Sequence, residues 1–145
     1  MIPINSNSIQ MPQINNKKVL SPELSYKICG FCFQIHNKLG RYRNEKQYAD
    51  ALGNLMVKNK INFVREKKLP VSFEGENSIR NIPDFVINNE LVVDLKAKDI
   101  ITKDDYYQMR RYLVSSNKKL GLIINFRSKY LRPKRILSGI FESLV

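Results

Sequence analysis

The sequence predicts an α/β fold, a mixed β-sheet with helices over its faces, in the order helix, helix, three strands, helix, strand. Three observations carry this reading. Apolar residues recur at helical spacing over residues 22–39 and again over 45–60. Two short apolar runs, 85–87 and 91–93, flank Asn88-Asn89, a pair that tolerates the left-handed conformations of a tight hairpin turn. A helical signal from Thr102 to about Ser116 then precedes the apolar run Gly121 to Phe126, so strand, helix and strand follow one another as in a right-handed crossover.

At 145 residues the chain has the size of one domain, and 43% hydrophobic with 26% charged residues fits a globular rather than a disordered or membrane-spanning chain. The domain is read over residues 21–145. Residues 1–20, rich in Asn, Gln, Ile and Pro and without helical or strand period, read as an extended arm. Ser21 caps the first helix, Pro22 opens it, and Leu24, Ile28, Phe31, Ile35 and Leu39 form its apolar stripe before Gly40 ends it. Cys29, Cys32 and His36 share one flank of that helix. A zinc site needs about four ligands and no second cysteine pair exists, so these residues are read as packing groups.

Asn44 caps a second helix from Glu45 to about Lys60, with Tyr48, Leu52, Leu55 and Met56 on its apolar face. Ile61 to Leu69 and Val71 to Phe73 read as extended, bent at Pro70, and Glu74 to Ser78 as a loop. Thr102 and Asp105 form a capping-box pattern for the third helix, whose apolar stripe is Tyr106, Met109 and Leu113. Gln108 and Tyr112 lie four apart on an adjoining face, with Arg110 and Arg111 nearby. No internal repeat is visible.

Lys and Arg number 25 against 13 Asp and Glu, a formal net charge of +12, which favours polyanionic partners through counterion release. The basic stretch Arg127, Lys129, Arg132, Lys134 and Arg135, interleaved with Tyr130 and Leu131, is the natural place for phosphate contacts. Nothing approaches the roughly 20 apolar residues of a membrane helix, no signal-peptide core is visible, and two unpaired thiols suit a reducing compartment, so a cytoplasmic location without membrane contact is expected.

The chemistry concentrates between Arg80 and Lys98. Asp94 and Lys96, two apart on a strand, leave the sheet on one face while Leu95 enters the opposite layer. A return across a two-residue turn brings Asp84 to the same end as Asp94. Carboxylate oxygens suit Mg²⁺, and an adjacent lysine can orient a water or neutralise charge developing on a phosphoryl group.

These residues carry a resemblance. Pro83-Asp84 followed by Asp94-Leu95-Lys96 resembles the bipartite signature of PD-(D/E)XK nucleases, and Leu39-Gly40 with Glu45-Lys46-Gln47-Tyr48 resembles the GxxExxY protein family within that superfamily. The likeness continues through Gln108 to Leu113 and the strand ending at Phe126, covering about residues 22 to 137. It departs at Tyr42, where a second glycine is usual, and at Asp94, where glutamate is more frequent. The resemblance implies a restriction-endonuclease-like αβββαβ core. It further implies Asp84 and Asp94 as Mg²⁺ ligands (Mn²⁺ as substitute) with the Leu95 carbonyl as a third, Lys96 as catalytic lysine, Glu45 as the helix acid at or beside the metal, and Gln108 and Tyr112 supporting the site or touching the substrate backbone. The expected activity is Mg²⁺-dependent hydrolysis of nucleic-acid phosphodiesters, DNA foremost. A nucleic-acid-binding module of the same fold without turnover is the alternative, and the oligomeric state, a homodimer included, stays open.

Overall fold

In the computed structural model, which describes residues 22–77 and 81–138, five strands form one sheet and three helices cover its two faces. The expected arm over 1–20 and the Ser21 cap lie outside the described residues. In chain order the elements are α1 (Pro22–Leu39), α2 (Glu45–Lys58), β1 (Phe63–Arg65), β2 (Phe85–Ile87), β3 (Leu91–Lys96), α3 (Lys103–Ser116), β4 (Leu120–Asn125) and β5 (Lys134–Leu137). The sheet order is β1-β2-β3-β4-β5. Only β3 and β4 are parallel, paired from Leu91 with Leu120 to Lys96 with Asn125, and α3 is the crossover between them.

Period-two alternation splits the core. Leu91, Val93 and Leu95 of β3 and Leu120, Leu122 and Ile124 of β4 pack with Ile28, Phe31, Ile35, Tyr48, Leu52 and Met56 of α1 and α2. Val92 and Ile123 face the other way, onto Met109, Tyr112 and Leu113 of α3. Asp94, two residues beyond Val92, therefore belongs to the α3 face.

The capping expectations hold where they are described. Asn44 Oδ1 accepts from the Gln47 amide and Gln47 Oε1 from the Asn44 amide, both at 2.9 Å, closing a capping box on α2. Asp105 Oδ2 accepts from the Thr102 amide at 2.8 Å at the start of α3.

Four details depart from the sequence reading. Helix α2 stops at Lys58, because Lys60 turns left-handed (φ 59°) and the Ile61 amide returns to the Met56 carbonyl. Of the extended 61–73 region only Phe63–Arg65 pairs as a strand, since Glu66 at φ 53° turns the chain off the ladder. The edge strand β5 arises within the basic stretch: Ile136 is buried while Lys134 and Arg135 are exposed. Charged side chains on an edge hid the strand pattern there.

The fourth departure concerns the hairpin. Asn88 and Asn89 both take positive φ (52° and 56°), and the Glu90 amide bonds the Ile87 carbonyl at 3.0 Å, as a type I′ turn requires. Pairing resumes at Ile87 with Leu91, so three residues, not two, connect the strands. Continued past Phe85–Val93, this register sets Asp84 opposite Asp94; a two-residue connection would have set it opposite Val93.

Gly121 fixes how closely α3 approaches the sheet. A methyl group there would overlap Met109 Sδ and lie 2.9 Å from its Cγ, and Met109 is buried. Gly121→Ala is expected to lower stability by about 1–3 kcal/mol in chemical denaturation, and by much less in a Met109→Ala background, where the overlap is gone. Equal losses in both backgrounds would contradict this packing.

Candidate active site

The hairpin register builds the centre of the site. The Asp84 amide donates to Asp94 Oδ1 at 3.2 Å, and the Leu95 amide donates to Asp84 Oδ2 at 2.6 Å. Each strand thus contributes a carboxylate and an amide to the other. Asp94 is buried, and Asp84 is partly so. Burial, then the charge of Asp94, push Asp84 up to about 7 against the downward pull of the Leu95 amide, with Glu45 adding to the rise. A buried and a half-buried carboxylate this close need a proton or a cation between them.

Lys96 supplies part of that positive charge. Its Nζ lies 2.9 Å from Asp94 Oδ2, donates to Gln108 Oε1 at 2.9 Å, and stands 3.8 Å from Asp105 Oδ1. Burial pulls Lys96 down, but Asp94, Asp105 and Glu45 outweigh it, so the ammonium is held above its ordinary value. Asp105 does two jobs. It caps α3, and its Oδ2 pairs with Lys98 Nζ at 2.9 Å. Burial opposes its ionisation, yet the Thr102 amide, Lys98 and Lys96 hold it below the usual carboxylate range. Helix α3 is thereby fastened to the end of β3 by charge, beside Asp94 and Lys96.

Glu45 arrives from the other layer, in the first turn of α2. Its exposed carboxylate acts on both Asp84 and Lys96, so the helix acid and the strand acids share one electrostatic environment. Tyr48 sets its position. The buried Tyr48 ring stacks on Phe126 (centroids 4.1 Å apart), and its hydroxyl donates to the Gly40 carbonyl at 2.5 Å and accepts from the Arg43 amide at 3.1 Å. Gly40 adopts φ 79°, a left-handed helix end that glycine takes freely. Glu45 lines a cleft of about 360 Å³ with Asn44, Lys46, Ala97 and Arg127.

The donor set fits a hard divalent cation. Mg²⁺ is commonly held by one or two carboxylates with waters and substrate oxygens completing its shell, and Asp84 with Asp94 are such a pair. Among the described residues no three His, Cys, Asp or Glu side chains gather into a ligand cluster, so Glu45 is not drawn into one with the two aspartates. Cys29 and Cys32 are free thiols pushed up by burial, and His36 Nε2 meets the Ser128 carbonyl at 2.9 Å.

The remaining anticipated residues are dispersed. Tyr112 is buried, with its hydroxyl donating to the Ile82 carbonyl at 3.3 Å, and burial and the two aspartates raise its pKa. Arg110 and Arg111 are exposed on α3. Arg127 is at the cleft, Lys129 lies over the Tyr130 ring at 5.5 Å, and Arg132 and Lys134 line a separate hollow with Tyr106 and Tyr130. Arg135 reaches the α1 side, where its Nη1 donates to Ser25 Oγ at 2.7 Å. Sequence reasoning missed two supports. Asp105 was visible only as a cap. Buried Asn125 accepts from the Lys98 and Arg127 amides (3.1 and 3.3 Å) and donates to the Lys98 carbonyl at 2.7 Å, locking the exits of β3 and β4 together. A lone amide ending an apolar strand was its one sequence signal.

Residues 22–136 match a family model described as the PD-(D/E)XK nuclease superfamily. No curated protein and no solved structure matches the chain.

The Asp84 environment has a measurable consequence. Its pKa is about 7 in the folded chain against an ordinary 3.8, so the folded form holds the proton more tightly. That contribution to stability is complete below the ordinary value and lost as pH rises through about 7. Asp84→Asn keeps an acceptor for the Leu95 amide and removes the titration. With chelator present, the stability of the variant relative to the native chain is expected to rise by on the order of 2 kcal/mol between pH 5 and pH 8 in denaturation experiments. The same difference at both pH values would contradict the raised Asp84.

Proposed function

The chain belongs to the PD-(D/E)XK nuclease superfamily, and from that premise we propose that it is a Mg²⁺-dependent nuclease hydrolysing phosphodiester bonds of nucleic acid, DNA foremost. One observation carries the reading: Asp84 and Asp94 stand opposite each other across the hairpin with the Lys96 ammonium 2.9 Å from Asp94. The sequence keeps every residue type the hydrolysis needs, and the net charge of +12 suits a phosphate-rich partner.

In this reading Asp84 and Asp94 hold the metal, with the Leu95 carbonyl as a further ligand and Glu45 acting from the rim. A bound divalent cation supplies an acidified water and a polarised phosphoryl oxygen. Lys96 does the rest of the electrostatic work. Its ammonium, restrained by Gln108 and Asp105, orients the attacking water or meets the negative charge that grows on the phosphate. Because these partners fix the ammonium before substrate arrives, little reorganisation is left for the reacting complex. Glu45 adds negative charge beside Asp84, which strengthens the demand for a cation there. Arg127 at the cleft offers a guanidinium to substrate phosphate.

The purified chain incubated with single-stranded, duplex and branched DNA and with RNA tests the proposal. Cleavage is expected with Mg²⁺ or Mn²⁺ and not with chelator, and Asp94→Ala or Lys96→Ala should each reduce the rate by at least about 10²-fold. Gln108→Ala should reduce it less while leaving substrate affinity near that of the native chain. If no substrate is cut faster than by an Asp94→Ala, Lys96→Ala double variant, the enzymatic reading fails. Salt-sensitive, metal-indifferent binding in that case identifies a module that holds nucleic acid without turnover.

A further inference from the structure

Beside the candidate active site the chain presents an aromatic ring to solvent in a built setting. Tyr42 is 75% exposed, yet two guanidinium groups lie against its ring, Arg41 at 5.2 Å and Arg127 at 5.5 Å from the centroid. The two arginines are tied to each other: Arg41 Nε donates to the Arg127 carbonyl at 2.7 Å, and Arg127 Nε donates to the Arg41 carbonyl at 2.8 Å. These reciprocal bonds join the α1–α2 loop to the exit of β4.

The loop is fixed on both sides of the ring. Before it, the Gly40 carbonyl is bonded by the Tyr48 hydroxyl; after it, the Arg43 amide bonds the same hydroxyl, and Asn44 begins the α2 capping box. Tyr42 therefore stands on a rigid base, and Arg127, which touches it, also lines the Glu45 cleft. An exposed ring with cations beside it, held at the rim of a phosphodiester site, has the two elements that recognise an unpaired nucleotide. The π-face stacks on a base, and the guanidiniums meet the flanking phosphates. Bases inside a duplex are already stacked and offer no free face to such a ring.

We infer that Tyr42, with Arg41 and Arg127, is a base-stacking platform that selects single-stranded nucleic acid, or the unpaired portion of a branched one, for the adjacent site. The inference rests on the proposed nuclease function, whose substrate class it narrows. A strand docks with one base on the Tyr42 ring and its backbone running past Arg127 toward Glu45. Binding to the platform requires neither metal nor turnover.

The test uses the full chain, its Tyr42→Ala and Tyr42→Phe variants, and a fluorescent oligothymidylate in chelator, beside a duplex of the same length. Tyr42→Ala should weaken single-strand binding about tenfold, Tyr42→Phe should stay within about twofold of the native chain, and duplex binding should change by less than about twofold for either variant. Unchanged single-strand binding in Tyr42→Ala, or equal losses on strand and duplex, overturns the platform. Cleavage of the same strands with Mg²⁺ separates this from the parent reading. Selective loss of binding in a chain that cuts nothing keeps the platform and rejects the nuclease, whereas intact cleavage with no Tyr42 effect rejects the platform alone.

Discussion

Two carboxylates that repel each other are held in contact by the pairing register of one hairpin. Asp84 and Asp94 face each other because β2 and β3 pair Phe85 with Val93, and that register depends on a three-residue connection at Asn88, Asn89 and Glu90. The side-chain period of a strand is two, so removing one turn residue would carry Asp84 out of opposition and away from the α3 face. The surrounding core maintains the arrangement. Phe85, Ile87, Leu91, Val93 and Leu95 are all buried against the α1 and α2 layer, and their burial outweighs the local repulsion on the other face.

The polar groups around this pair distribute its charge without relieving it. The backbone amides of Asp84 and Leu95 each bond the opposite carboxylate, and Lys96 neutralises one side. Asp105 and Gln108 then hold Lys96, which ties the first two turns of α3 to the end of β3. The tie depends on α3 lying close to the sheet, which Gly121 under Met109 permits. On the opposite layer Tyr48, stacked on Phe126, sets the loop from which α2 begins, and so sets Glu45. Elements far apart in sequence are joined by individual bonds at the end of β3, where the sheet stops and the core gives way to charge.

Much of this was legible in the sequence, because local rules govern it. The stripe Ile28, Phe31 and Ile35, the caps Asn44 and Thr102, the left-handed Asn88-Asn89 pair and the alternation that separates Leu95 from Asp94 and Lys96 each follow from one element's own pattern. What escaped depends on pairing between elements. The third turn residue emerges only when β2 and β3 are aligned. Strand β5 has a single buried side chain, Ile136, among charges, and becomes a strand through Leu120–Leu137 and its neighbouring pairs. Asp105 carried a sufficient local explanation as a cap, which hid its role toward Lys96 and Lys98. Tyr42 stood out in sequence as a departure from glycine, but its two arginine neighbours come from loops 86 residues apart in the chain and could be joined only in the folded state.

The proposed divalent cation between the opposed aspartates can be sought by anomalous scattering from crystals grown with Mn²⁺. The expected result is a peak within about 2.3 Å of carboxylate oxygens from both Asp84 and Asp94, absent in Asp94→Ala crystals grown alongside. Well-ordered native crystals with no Mn²⁺ peak between these two residues, or with Mn²⁺ bound only elsewhere, would contradict it.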